Sequence, residues 1–384
     1  MKRLSVRVRP ALLAAGLFAG AAAAAPLAPD QQFGAVIGLL DAGKAEDALH
    51  SLEQLTQRAP DYRLAQQFYG ELKSRLASDA RAPQLQSLAE EARLRLASER
   101  AVPQSGTMPD AVLRLAASFK HLIVVDLPRA RLYLLQNDHG QLKLLRNHYA
   151  AMGKNGWGKQ AAGDNRTPIG LYHITGWIDG KKLPDFYGAG AFPLNYPNLW
   201  DQFKRRTGYG IWLHGVPSST DTRPPLSSEG CVTMANADLV ALKPYIELGQ
   251  TPVLLSDALS WQTPAQTQKE RDAFLARIEK WRHAWSSLNT DAYLDFYGSE
   301  FTTEGMKRRD FVAHKRRVNA QKKFIEVQLS DISLYRYPGS DGELMLAEFT
   351  QHYRSDNFRM ESRKQQFWKR EADGQWKIFR EENR

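Results

Sequence analysis

Between about Gln31 and Ser98 the apolar residues return at three- and four-residue steps: Val36, Leu39 and Leu40, then Ala48, Leu49, Leu52 and Leu55. That spacing lays one apolar stripe along a helix, so the segment is predicted to be helical. Gly43 breaks the first pair of helices and Pro60 opens the next element. The segment resembles roughly one and a half helical hairpins, with no period recurring often enough for a solenoid. Its expected work is packing, homodimer formation or partner binding. Val102 to Pro109, with its glycine and prolines, reads as a linker.

From His121 the period changes to two. Leu122-Ile123-Val124-Val125-Asp126 and Arg131-Leu132-Tyr133-Leu134-Leu135 read as strands joined at Pro128, and Gly140 marks the next hairpin. Further strands are predicted at Leu171–Ile174, Gly210–His214 and Pro252–Leu255, giving a mostly-β domain over 119–257. Pro264 to Leu288 carries an amphipathic helix with Phe274, Leu275, Ile278, Trp281, Trp285 and Leu288 on one face. Alternating segments follow at 325–329, 344–353, 358–370 and 376–379. Helix first and long strands afterwards is an α+β order. With its closing Gly374-Gln375-Trp376-Lys377-Ile378, the stretch 264–384 resembles the cone-shaped fold of the nuclear transport factor and polyketide cyclase superfamily. The fold class is therefore multidomain: a helical segment over 26–105, a mostly-β domain over 119–257 and an α+β cone over 264–384.

Charge and composition add the compartment. Lys2, Arg3, Arg7 and Arg9 precede an apolar run from Ala11 to Ala25, rich in alanine. This reads as a signal peptide, residues 1–25, cleaved near Ala24 or Ala25. The run is short for a membrane span, and an uncleaved anchor is the alternative. No cysteine follows it, so a lipidated start is not expected. The expected location is periplasmic. The formal charge is +10, and four of the positive residues lie in the signal. The mild excess that remains suits an anionic wall polymer or membrane surface, and no nucleic acid is expected. Lys307-Arg308-Arg309, Lys315-Arg316-Arg317 and Lys322-Lys323 form a basic cluster, read either as a solvated helix face or as a wall-docking patch.

The chain has one cysteine, Cys231, in Ser227-Ser228-Glu229-Gly230-Cys231-Val232-Thr233-Met234, seventeen residues after His214. A lone thiol makes no internal disulfide, and in an oxidising compartment it is a hazard without a task. The glycine before it lets the backbone turn tightly, and the upstream histidine can take its proton. That combination reads as a cysteine acyltransferase. Dispersed histidines and the absence of paired cysteines suggest no metal site, and no cofactor is expected.

Gly163-Asp164-Asn165-Arg166-Thr167-Pro168-Ile169-Gly170-Leu171-Tyr172, then His214-Gly215, then Gly230-Cys231, in this order, resemble the catalytic domain of the YkuD-like L,D-transpeptidases. That family cross-links or trims peptidoglycan stem peptides through a cysteine thioester. The resemblance implies Cys231 as nucleophile, active as thiolate, and His214 as the proton carrier. It implies that the Gly215 carbonyl orients the imidazole, and that the N–H groups of Gly230 and Cys231 form part of the oxyanion site. Two positions depart from the family. Glu229 stands where histidine is usual, and it is expected to face outward or pair with a cation. Thr233 stands where an arginine usually handles a substrate carboxylate. Lys154, Lys159, Arg166, Arg205, Arg206 and Arg223 are the candidate cations for either role. Thr233, Ser228, Tyr196 and Trp212 are the substrate-binding candidates, within an aromatic-rich stretch that includes Trp157, Trp177, Phe186, Tyr187, Phe192, Trp200 and Tyr209.

The whole arrangement resembles the cell-shape-determining L,D-carboxypeptidases of Gram-negative bacteria. The expected reaction is attack of Cys231 on the L,D bond of stem tetrapeptides. Transfer to an amine gives a cross-link, and transfer to water gives a tripeptide. A non-catalytic wall-binding scaffold is the reading of another class. A papain-type protease is remote, because there the cysteine precedes the histidine.

Overall fold

The computed structural model of the chain describes residues 28–77, 89, 91–97, 103–220, 223–339 and 343–383. The expected signal peptide, with cleavage expected near Ala24 or Ala25, lies outside the described residues.

Helices α1 (Pro29–Asp41), α2 (Ala45–Arg58) and α3 (Arg63–Ala77) follow the predicted breaks, with Gly43 in a left-handed turn between the first two. Their stripes meet in one cluster that includes Phe33, Val36, Leu52, Leu55, Phe68 and Leu72. A further helical stretch at 91–97 carries Arg95, buried at 3% exposure. Its guanidinium bonds Glu91 at 3.0 Å, approaches Asp30 at 3.6 Å and stacks 3.7 Å above the ring of Tyr149. A buried charge is tolerable only when paired in this way. The result ties the helical segment to the next domain.

The middle domain follows. Short β1 (Met108–Pro109) and β2 (Val112–Arg114) precede β3 (His121–Asp126), β4 (Arg131–Asp138), β5 (Gln141–Tyr149), β6 (Met152–Gly153), β7 (Gly170–His173), β8 (Ile178–Asp179) and β9 (Gly190–Pro193). After α4 (Leu199–Phe203) come β10 (Trp212–His214), β11 (Leu226–Ser228), β12 (Val232–Thr233), α5 (Asn236–Leu242), β13 (Pro252–Ser256) and β14 (Trp261–Gln262). One sheet has the order β5-β4-β3-β13-β7, and a second has β12-β10-β9-β8. Ile123, Val125, Leu132, Leu134 and Val253 of the first face Phe192, Leu213 and Val232 of the second across a common core.

The third domain is α6 (Pro264–Ser286), α7 (Thr290–Leu294), β15 (Tyr297–Thr303), β16 (Met306–Lys307), α8 (Arg308–Asn319), β17 (Ile325–Arg336), β18 (Leu344–Ser355), β19 (Arg359–Arg370) and β20 (Trp376–Asn383). A Thr263–Gln266 capping box starts α6. Its Phe274, Ile278, Trp281 and Trp285 pack on Val327, Phe349, Trp368 and Ile378 of the curved sheet.

Two features differ from the pattern-based expectation. The stretch read as a linker is partly strand: Met108 and Pro109 pair with Gln262 and Trp261. Just beyond it, β2 forms the outer strand of the third domain's sheet, beside β17. The β3 and β13 strands are buried on both faces, since Leu122, Val124 and Leu254 pack against Tyr335, Leu346 and Phe367 of the third domain. The sheet is thus a shared wall, and this explains its near-continuous apolar runs better than a period of two.

Candidate active site

Strands β10 and β12 lie parallel, with Leu213 opposite Val232 and His214 opposite Thr233. Leu213 and Val232 enter the core. Strand alternation puts Cys231, the residue before Val232, on the opposite side, the side that carries His214. The imidazole is 1% exposed, and its Nδ1 lies 2.7 Å from the Gly215 carbonyl oxygen. A carbonyl only accepts, so Nδ1 carries the hydrogen and Nε2 keeps its lone pair. Phe186 and Tyr187 flank the ring at 5.8 and 5.0 Å, and Trp212 lies 5.0 Å from Tyr187. The Cys231 thiol donates to the Gly210 carbonyl at 3.4 Å.

Burial pushes the His214 imidazole down to about 4, against the opposing pull of the Gly215 carbonyl. Burial pushes the Cys231 thiol up to about 11. The Glu229 charge adds to that rise, while a Trp212 backbone hydrogen bond, Lys159 and Arg223 oppose it. Both directions give a neutral thiol beside a neutral imidazole at rest. Burial favours the protonated sulfur at rest, and the thiolate remains the form expected to attack. Such a pair can form its thiolate only as the proton passes to the imidazole during attack.

A family model described as the L,D-transpeptidase catalytic domain, YkuD, matches residues 120–255, and one described as the Cds6 C-terminal NTF2-like domain matches residues 273–382. The solved structure of Bd1075 from Bdellovibrio bacteriovorus is 30% identical, and the match covers 72% of this chain and 98% of that one with a TM-score of 0.63. The chain belongs to the YkuD L,D-transpeptidase family. The helical cell shape determining protein Pgp2 of Campylobacter jejuni shares the fold at 23% identity, over 75% of this chain and 98% of that one, with a TM-score of 0.58. No curated protein matches the chain.

Within the YkuD domain the substrate-binding candidates separate. Trp212 is half-buried beside Tyr187 and walls the site. Tyr196 does not belong to the site: it is buried in the core, and its hydroxyl donates to the Thr207 carbonyl at 3.1 Å. Ser228 is buried, and its hydroxyl donates to the Cys231 carbonyl at 2.6 Å and accepts from the Gly230 N–H at 3.1 Å. Both of its roles are committed to the nucleophile turn, so it positions that turn instead of touching substrate. The same bond occupies the Gly230 N–H. Of the two expected oxyanion donors, the Cys231 N–H is the one left for that task. Gly230 serves the turn in another way: at φ +122°, a Cβ there would stand 2.8 Å from the Arg166 carbonyl oxygen. Thr233 is 1% exposed, and Ala151 pairs with its backbone in both directions at 2.8 Å. Its side chain lines a polar cavity of about 600 Å³ between the helical segment and the YkuD domain. Glu229 is exposed, the outward placement expected of it.

Sequence reasoning missed Asn236. Its Oδ1 accepts from Ala189 N–H at 2.8 Å and Val216 N–H at 3.2 Å, and its Nδ2 donates to the Val216 carbonyl at 2.8 Å. It therefore joins the loop carrying Phe186 and Tyr187 to the one carrying Gly215. Gly215 is required here by closeness, since a Cβ would stand 2.1 Å from Asn236 Oδ1. A lone asparagine five residues after the cysteine offers no motif to find it by.

The third domain has its own cavity, about 520 Å³, lined in part by Trp285, Phe311, Lys315, Tyr353, Lys364 and Glu381. The residues of the basic cluster do not all face the same way. Lys315 turns inward over the rings of Trp285 and Phe311 at 4.8 and 5.4 Å, and desolvation pulls its ammonium down to about 8. Arg308 donates to the Tyr297 carbonyl, and Arg316 pairs with Asp291.

Proposed function

We propose that this chain is a periplasmic cysteine acyltransferase of peptidoglycan stem peptides. Cys231 attacks the carbonyl of the L,D bond, and its proton passes to His214 Nε2. The imidazolium then protonates the departing amine of D-alanine, leaving a thioester. A second amine attacks that thioester, gives its proton to His214 and restores the thiol. The observation that carries this reading is the Nδ1–Gly215 bond. It leaves the imidazole's lone pair on the nitrogen a base must use, in register with the nucleophile turn.

Water as the acceptor is the second reading, giving a tripeptide and no cross-link. Two features favour it: the missing arginine at Thr233, and the fold shared with a cell shape determinant. Mass analysis of tetrapeptide muropeptides incubated with the full chain separates the readings. Dimers with released D-alanine mark transfer to an amine, and tripeptides mark transfer to water. Cys231→Ala and His214→Ala should each abolish both. Near-native D-alanine release by either variant would refute these roles, and a thiol-reactive carbapenem that fails to label Cys231 would point to a non-catalytic scaffold.

A further inference from the structure

Cleaving the last L,D bond of a stem peptide releases a single residue that carries a free carboxylate. That carboxylate sits one residue from the scissile carbonyl, so a cation that reads it must stand near the nucleophile. The family places an arginine for carboxylates at the position of Thr233, which here is uncharged and buried.

Two cations act electrostatically on Cys231, namely Lys159 and Arg223. Lys159 is buried, and its Nζ is already bound to Asp164 at 2.7 Å and the Ala161 carbonyl at 3.1 Å. Arg166 donates to the Trp157 carbonyl and Arg206 pairs with Asp201, so these two are committed as well. Arg223 differs. Its Nη1 is buried and has no hydrogen-bond partner among the described residues. Its guanidinium stacks 4.6 Å from the ring of Phe186, the same ring that flanks His214 at 5.8 Å. Its backbone carbonyl accepts from Tyr149 at 2.9 Å, the tyrosine under Arg95. It also lines the 600 Å³ cavity, together with Thr233. A buried donor without a partner is costly unless a ligand supplies the acceptor. A planar guanidinium, fixed by stacking, matches a carboxylate at two points.

We propose that Arg223 is the specificity-determining residue that binds the free terminal carboxylate of the stem peptide, replacing the arginine absent at position 233. This rests on the substrate class proposed above. The guanidinium is partly exposed, so a ligand can reach it, while its contact with the Phe186 ring holds its direction.

The test uses binding, so it does not depend on turnover. On full-length protein carrying Cys231→Ala, calorimetry measures Kd for a stem tetrapeptide with a free C-terminus and for its C-terminal amide. The acid should bind about ten-fold more tightly than the amide, as expected for charge-assisted bonds. Arg223→Gln should erase that preference, and Arg223→Lys should keep part of it. Matching thermal unfolding checks that the variants fold. An acid-over-amide ratio unchanged by Arg223→Gln overturns the assignment, as does a failure of both peptides to bind. The muropeptide digests judge the catalytic roles separately, so D-alanine release by a chain whose ratio ignores Arg223 would refute this inference alone.

Discussion

Asn236 and His214 are joined through one peptide group. The Gly215 carbonyl accepts from His214 Nδ1 at 2.7 Å, and the N–H of that same Gly215–Val216 peptide donates to Asn236 Oδ1 at 3.2 Å. Bonds in series through a peptide polarise one another, so Asn236 sets both the place and the acceptor strength of the carbonyl that orients the imidazole. Asn236→Ala should leave the Val216 N–H without a buried partner, at about 1–3 kcal/mol. It should lower kcat by up to about 100-fold through misplacement of the ring, with KM little changed. Asn236→Asp keeps the acceptor oxygens and should recover part of kcat. Steady-state kinetics of D-alanine release on the three proteins checks this, and equal kcat values would remove Asn236 from the positioning chain.

The neutral resting pair has a pH signature. With the thiol near 11 and the imidazole near 4, alkylation of Cys231 by iodoacetamide should climb about ten-fold per pH unit between pH 7 and 10, since the thiolate is the reacting form. A standing thiolate–imidazolium pair would instead react at a rate that stays flat far into acid.

Stability carries the same information with a definite sign. The His214 imidazole titrates at 6.5 in its ordinary state and near 4 when folded. Between these values the unfolded chain binds the extra proton and the folded chain does not. Stability is therefore complete above pH 6.5 and falls as pH drops towards 4, by about 3 kcal/mol from this group. Denaturant midpoints for the native chain and His214→Gln across that window check it, and parallel slopes would refute it.

Much of this was legible in the chain. Glycines, prolines and apolar spacing marked the helical segment, the α6 stripe and the long strands of the third domain, because each leaves a local period. Cys231 and His214 were legible because their chemistry is rare and ordered. What stayed hidden depends on partners remote in sequence. Val112–Arg114 looks like any short segment with two apolar residues until Val112 meets Tyr335. Tyr196 looked like a cleft aromatic because aromatic content does not say which face a loop turns inward. Arg223 was one of six candidate cations, and what sets it apart is its contact with the Phe186 ring that flanks His214, which no local pattern reveals.

Ser228 distinguishes positioning from contact. Its hydroxyl bridges Gly230 N–H and the Cys231 carbonyl, so Ser228→Ala frees the turn that aims the sulfur. The expected result is a fall in kcat of about 10- to 100-fold with KM near the native value. A rise in KM at constant kcat would mean that the hydroxyl touches substrate after all. Ser228→Thr, which keeps the hydroxyl, should recover activity if the site has space for the extra methyl.

The wall shared by the second and third domains should make them unfold together. Trp200, 3% exposed, stacks on Phe367 at 5.3 Å and meets Tyr337 and Phe379 at 6.1 and 6.2 Å. Asn198, at the cap of α4, donates to the Tyr337 hydroxyl at 2.8 Å. Trp200→Ala removes the largest side chain that the YkuD domain inserts into this contact and should lower stability by about 3–5 kcal/mol. Because the β1 and β2 pairings remain, the domains stay tethered while their cooperativity weakens. Calorimetry should then show a broadened or split transition where the native chain shows one. A single sharp transition at the native temperature would show that the aromatic contact contributes little to coupling.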